Sequence, residues 1–213
     1  MKPFSLAVLQ HHPAEGPGEI ANWAAKRSLA LQIWRADLNE LPPVSNAALI
    51  LLGGPFSAHA ELPWLQRERA WLAQCLTAGA PIFAICLGAQ LLTLAHGGRV
   101  EPMARPETGW CSITLPAGER LEVLAWHEDQ CLPAAETEIL AHSVQCRQQI
   151  LRFSPGRVGL QFHPEWNAAS VAELNAFFGA DSPLPREEGQ DQARHASVAQ
   201  WLHRQLDVWY PQA

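Results

Sequence analysis

No two of the five cysteines (Cys75, Cys86, Cys111, Cys131 and Cys146) stand in a C-x-x-C pair, and their number is odd. That spacing suits neither a structural zinc site nor a disulfide framework, and it fits a reduced, cytoplasmic protein. Positive charge is scarce: 15 Lys and Arg face 21 Asp and Glu, giving a net charge of -6. Such a balance argues against nucleic acid and anionic membranes as partners. A G-x-x-x-x-G-K phosphate loop is missing, as are internal repeats and low-complexity tracts. Secretory leader features are also lacking, because the short apolar start runs straight into Gln10-His11-His12-Pro13. Charge is absent between Arg69 and Arg99, which could be mistaken for a membrane span. Gln74, Gly79-Ala80-Pro81, Gly88 and Gln90 break that stretch, so it reads as helix, strand, helix, each buried in protein.

What is present describes a folded α/β chain. Apolar residues make up 48% of the 213 and charged residues 17%, enough for one domain with a sizeable core. The pattern predicts strands at 4–9, 32–35, 47–52, 81–85 and 158–162. Helices are expected at 19–31, 62–78, from Cys86 to Gly97-Gly98, and at 167–178. The run 47–52 is continuously apolar, as in a strand buried on both faces of a parallel sheet. Between Val100 and Leu160, short strand-like pieces at 111–115, 121–125 and 150–153 suggest an antiparallel addition. Residues 181–190 read as a linker between a domain at 1–180 and a C-terminal helix in 191–213. That helix is expected to pack on the same domain through Val198, Trp201, Leu202, Leu206 and Trp209.

The most informative segment is Pro81-Ile82-Phe83-Ala84-Ile85-Cys86-Leu87-Gly88-Ala89-Gln90. An apolar strand ends at a cysteine, small residues flank it, and a helix follows. This is the form of a nucleophile elbow. The helix N-terminus favours thiolate over thiol. A cysteine nucleophile needs a base and a group to orient that base. Gly159-Leu160-Gln161-Phe162-His163-Pro164-Glu165 offers both at a strand's carboxyl end. Pro164 biases His163 toward extended backbone, where residues i and i+2 point the same way. Glu165 can then hold the His163 ring. Cys75, Cys111, Cys131 and Cys146 read as core or surface residues, and His11-His12 as loop.

These segments resemble the class I glutamine amidotransferase family, whose elbow is G-(I/V)-C-x-G-x-Q and whose base segment is Q-F-H-P-E. Leu51-Leu52-Gly53-Gly54-Pro55 is similar to the family's oxyanion loop. Glu107-Thr108-Gly109-Trp110 and Ala125-Trp126-His127-Glu128-Asp129 are weaker matches. The resemblance spans Phe4 to Phe178 in the family's order. It implies a three-layer, flavodoxin-like α/β fold with a mixed, mostly parallel sheet and a small antiparallel addition. It also implies Cys86 as nucleophile, His163 as base and Glu165 as its orienting partner. The Gly54 and Leu87 N–H groups would bind the oxyanion. Pro55, Gln90, Glu128 and Asp129 would hold the amino-acid end of the substrate. Neither metal nor other cofactor is implied.

Two residues depart from the family's pattern. Ala84 stands where glycine is usual, and Glu128 follows His127 where glycine is common. With no phosphate loop in the chain, ammonia would pass to a separate synthetase, as in a small GMP synthetase-like amidotransferase. The alternatives are an independent hydrolase of γ-glutamyl amides or peptides, and a non-catalytic regulatory or binding subunit.

Overall fold

The computed structural model describes residues 6–186 and 191–210. Among the described residues there are nine strands and five α-helices. The strands are β1 (Leu6–Gln10), β2 (Leu31–Arg35), β3 (Leu49–Leu51), β4 (Ile82–Ile85), β5 (Arg99–Thr114), β6 (Arg120–Leu132), β7 (Glu138–Ala141), β8 (Ile150–Ser154) and β9 (Arg157–Leu160). The helices are α1 (Gly18–Lys26), α2 (Pro63–Thr77), α3 (Leu87–Ala95), α4 (Ala168–Phe178) and α5 (Gln192–Trp209). Seven strands form one sheet in the order β2-β1-β3-β4-β9-β8-β7. The first five run parallel, and β8 and β7 add antiparallel at one edge. A parallel 2-1-3-4-5 order is the flavodoxin-like arrangement, whose ligands sit at strand carboxyl ends beside the switch between the first and third strands.

Side-chain alternation divides the core. Leu6, Val8, Ile50, Phe83 and Ile85 face a layer holding Ile20 and Trp23 of α1 and Val198, Trp201, Leu202, Leu206 and Trp209 of α5. Ala7, Leu9, Leu49, Leu51, Ile82 and Ala84 face Leu65, Leu72 and Cys75 of α2 and Leu87, Leu91 and Leu92 of α3. Leu87 through Thr93 of α3 are all buried, which explains the uncharged stretch around Cys86. Among the described residues no helix is long and apolar enough to cross a membrane.

Three elements differ from the sequence reading in extent. The helix expected at 19–31 ends at Lys26, where Ser28 takes a left-handed φ of 55° and the chain turns into β2. The antiparallel addition is larger than expected. β5 and β6 pair as a separate two-stranded ribbon, from Arg99↔Leu132 to Thr114↔Arg120. Pro102 and Pro106 hid most of β5. Such a ribbon has free edges and tolerates them, with its register shifting between Pro102 and Glu107. β9 ends at Leu160, so His163 lies three residues beyond the strand. Of the segment 181–190, residues 187–190 lie outside the described ones, and Leu184 is buried against Leu124, Trp166, Val171 and Leu174.

Candidate active site

β4 delivers Cys86 to the carboxyl edge of the sheet. The residue has φ 48° and ψ -110°, a region β-carbon-bearing residues rarely occupy. Neighbours hold it there. The Cys86 N–H donates to Leu160 O at 2.7 Å, and Cys86 O accepts from the Gln90 N–H at 2.9 Å. Gly88 makes the turn fit, since a β-carbon there would lie 2.6 Å from Leu51 O. The Cys86 thiol, 6% exposed, points toward Trp126 O at 3.8 Å.

His163 approaches from the other side of the β4–β9 pair. Its backbone N–H donates to Leu124 O at 2.8 Å, so β6 fixes the loop that carries it. Nδ1 meets Glu165 Oε1 at 2.8 Å, with both residues buried. That leaves Nε2 as the ring nitrogen available to Cys86, a neighbour whose side chain acts on the ring. Burial pushes the His163 pKa down. The charge of Glu165 and its hydrogen bond to the ring, together with the neighbouring Cys86, overcome burial and hold it well above 6.5. Trp166 stacks flat on the ring. By contrast, burial raises Cys75 and Cys146 to about 11 and Cys111 and Cys131 to about 12, so these thiols stay protonated at neutral pH.

A cavity of about 280 Å³ opens over Cys86. Its lining includes Gly54, Pro55, Gln90, Glu128, Asp129 and His163. Seven of the nine site residues read from the sequence therefore converge on one cavity. Glu165 stands behind His163, and Leu87 sits at the first turn of α3. The Gly54 and Leu87 N–H groups make no backbone hydrogen bond among the described residues.

Several buried pairings around this cavity escaped the sequence reading. His11 and Glu68 are fully buried and paired at 2.9 Å, and His11 Nδ1 donates to Gly53 O at 3.1 Å. Burial lowers the His11 pKa, but Glu68 reverses that and raises it. The ring thus anchors the Gly53-Gly54 loop to α2. Glu68 carried a signal: it falls in the apolar stripe Leu65, Leu72, Cys75 at helical spacing. A second buried pair, His127 Nε2 to Glu107 at 3.0 Å, supports the opposite wall. Glu107 also accepts from Ser143 and from Gln149, and His127 Nδ1 donates to Asp129 O. Burial raises the Glu107 pKa, yet the hydrogen bonds from His127 and Ser143 outweigh it and lower it.

Glu15 lines the cavity and is 5% exposed. Burial pushes its carboxyl up to about 7, with His163, Glu165 and His11 acting on it more weakly. Among the described residues no three His, Cys, Asp or Glu side chains gather as metal ligands would.

The sequence profile of the family "Glutamine amidotransferase class-I" matches residues 19–173. The chain belongs to the class I glutamine amidotransferases. Members of this family are typically glutamine-hydrolysing enzymes. A glutamine amidotransferase-like protein of Salmonella typhimurium, YfeJ, is 30% identical over 183 residues, covering 77% of each chain. The chain is also 30% identical over 140 residues to one subunit of the glutamine-hydrolysing GMP synthase of Ignicoccus hospitalis. That match covers 59% of this chain and 71% of the relative. In fold, the chain superposes on a glutamine amidotransferase of Thermotoga maritima with a TM-score of 0.89 at 20% identity. The match covers 97% of this chain and 98% of that one.

Proposed function

We propose that the chain hydrolyses the side-chain amide of glutamine and releases ammonia for a separate synthetase. The observation that carries this is the buried His163–Glu165 pair sharing one cavity with Cys86 on a strained elbow. His163 takes the thiol proton, and the Cys86 thiolate attacks the amide carbon. A C–S bond forms while the carbonyl electron pair moves onto oxygen. The unbonded Gly54 and Leu87 N–H groups receive that oxyanion, and losing one such donor costs ~10²–10³ in rate. Collapse breaks the C–N bond, and the nitrogen leaves with the proton from His163. Water, deprotonated by His163, then cleaves the γ-glutamyl thioester and yields glutamate. Gln90, Pro55, Glu128 and Asp129 hold the amino-acid end, the two carboxylates suiting its ammonium. Residues 1–180 and the helix within 191–213 act as one unit. The five free thiols support a cytoplasmic location, and the relatives that are subunits of GMP synthases support a synthetase partner.

A second reading has its own support. Phe56, Trp126 and Trp166 line the cavity and offer apolar surface that ammonia does not need, so a bulkier γ-glutamyl amine would also fit. Glutamate release from glutamine and from a panel of γ-glutamyl amides, by wild type and Cys86→Ala, decides. Hydrolysis of glutamine that rises with a synthetase supports the first reading. Turnover of bulky amides alone replaces it with the second. Equal activity in both proteins sinks the nucleophile assignment. Failure of a glutamine-analogue electrophile to label Cys86 while glutamine still binds would point to a non-catalytic role.

A further inference from the structure

Glu15 has no place in the relay just described, yet it lines the same cavity. It sits in the loop between β1 and α1, and its position is tightly set. A β-carbon at Gly53 would lie 2.6 Å from His163 Cε1 and 2.7 Å from Glu15 Oε2, which puts the carboxylate beside the ring. Gly18 backs the same loop against Glu165: its φ is 43°, and the Glu19 N–H donates to Glu165 O at 2.8 Å. Among the described residues the Glu15 carboxylate accepts no hydrogen bond. A buried carboxylate without a donor is costly and is expected to find one in a ligand. No lysine or arginine lines the cavity, and none of the cavity's donors bonds to the Glu15 carboxylate among the described residues, so a ligand can supply one. The charged groups facing Glu15 are His163 and Glu165 beyond β9 and His11 beyond β1. Its carboxyl, raised to about 7, is ionised at mildly alkaline pH.

The nitrogen that leaves must meet the His163 proton, so it stands at the His163 side of the cavity, where Glu15 is. We propose that the Glu15 carboxylate accepts a hydrogen bond from the N–H of the leaving nitrogen, so that the pocket selects ammonia or a primary amine as leaving group. This rests on the thioester chemistry proposed above. Glu15 takes no proton: the C–N bond breaks, the nitrogen receives the His163 proton, and its remaining N–H stays on the carboxylate.

The test compares wild type, Glu15→Gln and Glu15→Ala on glutamine and on glutamate γ-methyl ester, whose leaving oxygen carries no hydrogen. Loss of a hydrogen bond to a charged group lowers kcat/KM on glutamine roughly tenfold to a hundredfold. The ester falls by less than about threefold and shows that the variants are folded. The wild-type profile on glutamine also has a rise near pH 7 that Glu15→Gln lacks. Equal losses on both substrates, or no loss on glutamine, overturn the proposal while leaving the nucleophile chemistry standing. If wild type turns over neither substrate, the proposed function fails and takes this inference with it.

Discussion

Trp166 lies flat against the His163 ring, with centroids 3.5 Å apart and planes 9° from parallel. The ring therefore has a carboxylate in its plane and an indole face beneath it, and both favour the imidazolium. A cation over an indole is worth about 1–2 kcal/mol when desolvated, close to one pKa unit. Trp166→Leu is expected to lower the His163 pKa by about one unit, and Trp166→Phe by less. The pH dependence of Cys86 alkylation reads this directly. An unchanged profile in Trp166→Leu would show that the stacking only fills space.

The Glu15 carboxyl makes stability depend on pH. Its pKa is about 7 in the folded protein, against 4.5 for the free group. The folded state binds more protons between those values, so the contribution is full below 4.5 and lost as pH rises through 7. The difference corresponds to about 3 kcal/mol. Glu15→Gln is expected to be more stable than wild type at about pH 8 by up to that amount, and close to wild type at about pH 4.5. Urea unfolding at the two pH values checks it; equal differences at both would refute the burial argument.

Glu107 works in the opposite direction. Its folded pKa lies below 4.5, so its contribution is present above 4.5 and disappears as pH falls through the folded value. Glu107→Ala strands His127, Ser143 and Gln149 and is expected to cost about 3–5 kcal/mol at neutral pH. The gap from wild type should narrow in acid. A thermal melt at neutral pH within about a degree of wild type would contradict the pairing.

Two glycines at the entry to α1 should behave differently. A β-carbon at Gly18 would sit 2.0 Å from Glu165 O, and φ there is 43°. At Gly16 nothing lies within 4 Å. Gly18→Ala is expected to displace Glu165 and abolish most glutamate release, whereas Gly16→Ala stays within about 0.5 kcal/mol of wild-type stability. Similar activity in the two variants would mean that this segment does not support the relay.

Much of this was legible from local pattern. Pro164 and two-residue spacing were enough to pair His163 with Glu165, and the apolar run into Cys86 with glycine two residues on was enough for the elbow. β1, β3 and β4 are short apolar runs, so they too showed in the sequence. What stayed hidden depends on partners far apart in the chain. His11 meets Glu68 across 57 positions and Gln149 meets Glu107 across 42, and nothing local marks either pair. Glu15 looked like one polar residue in a proline- and glycine-rich loop, because its importance comes from burial beside a ring far along the chain. β5 was hidden by its prolines, which the free edges and register shift of a two-stranded ribbon accommodate.

The anchoring of Gly53 through His11 to Glu68 has a consequence for how this protein fails. The Gly53-Gly54 loop takes its position from α2, while His163 takes its position from β6 through Leu124 O. Cys86, His163 and the Gly53-Gly54 loop thus hang from three different elements, β4, β6 and α2. A slight loosening between those parts would misalign the reacting atoms long before any helix melted. The proposed turnover would therefore be a finer gauge of the integrity of this core than a spectroscopic signal of folding.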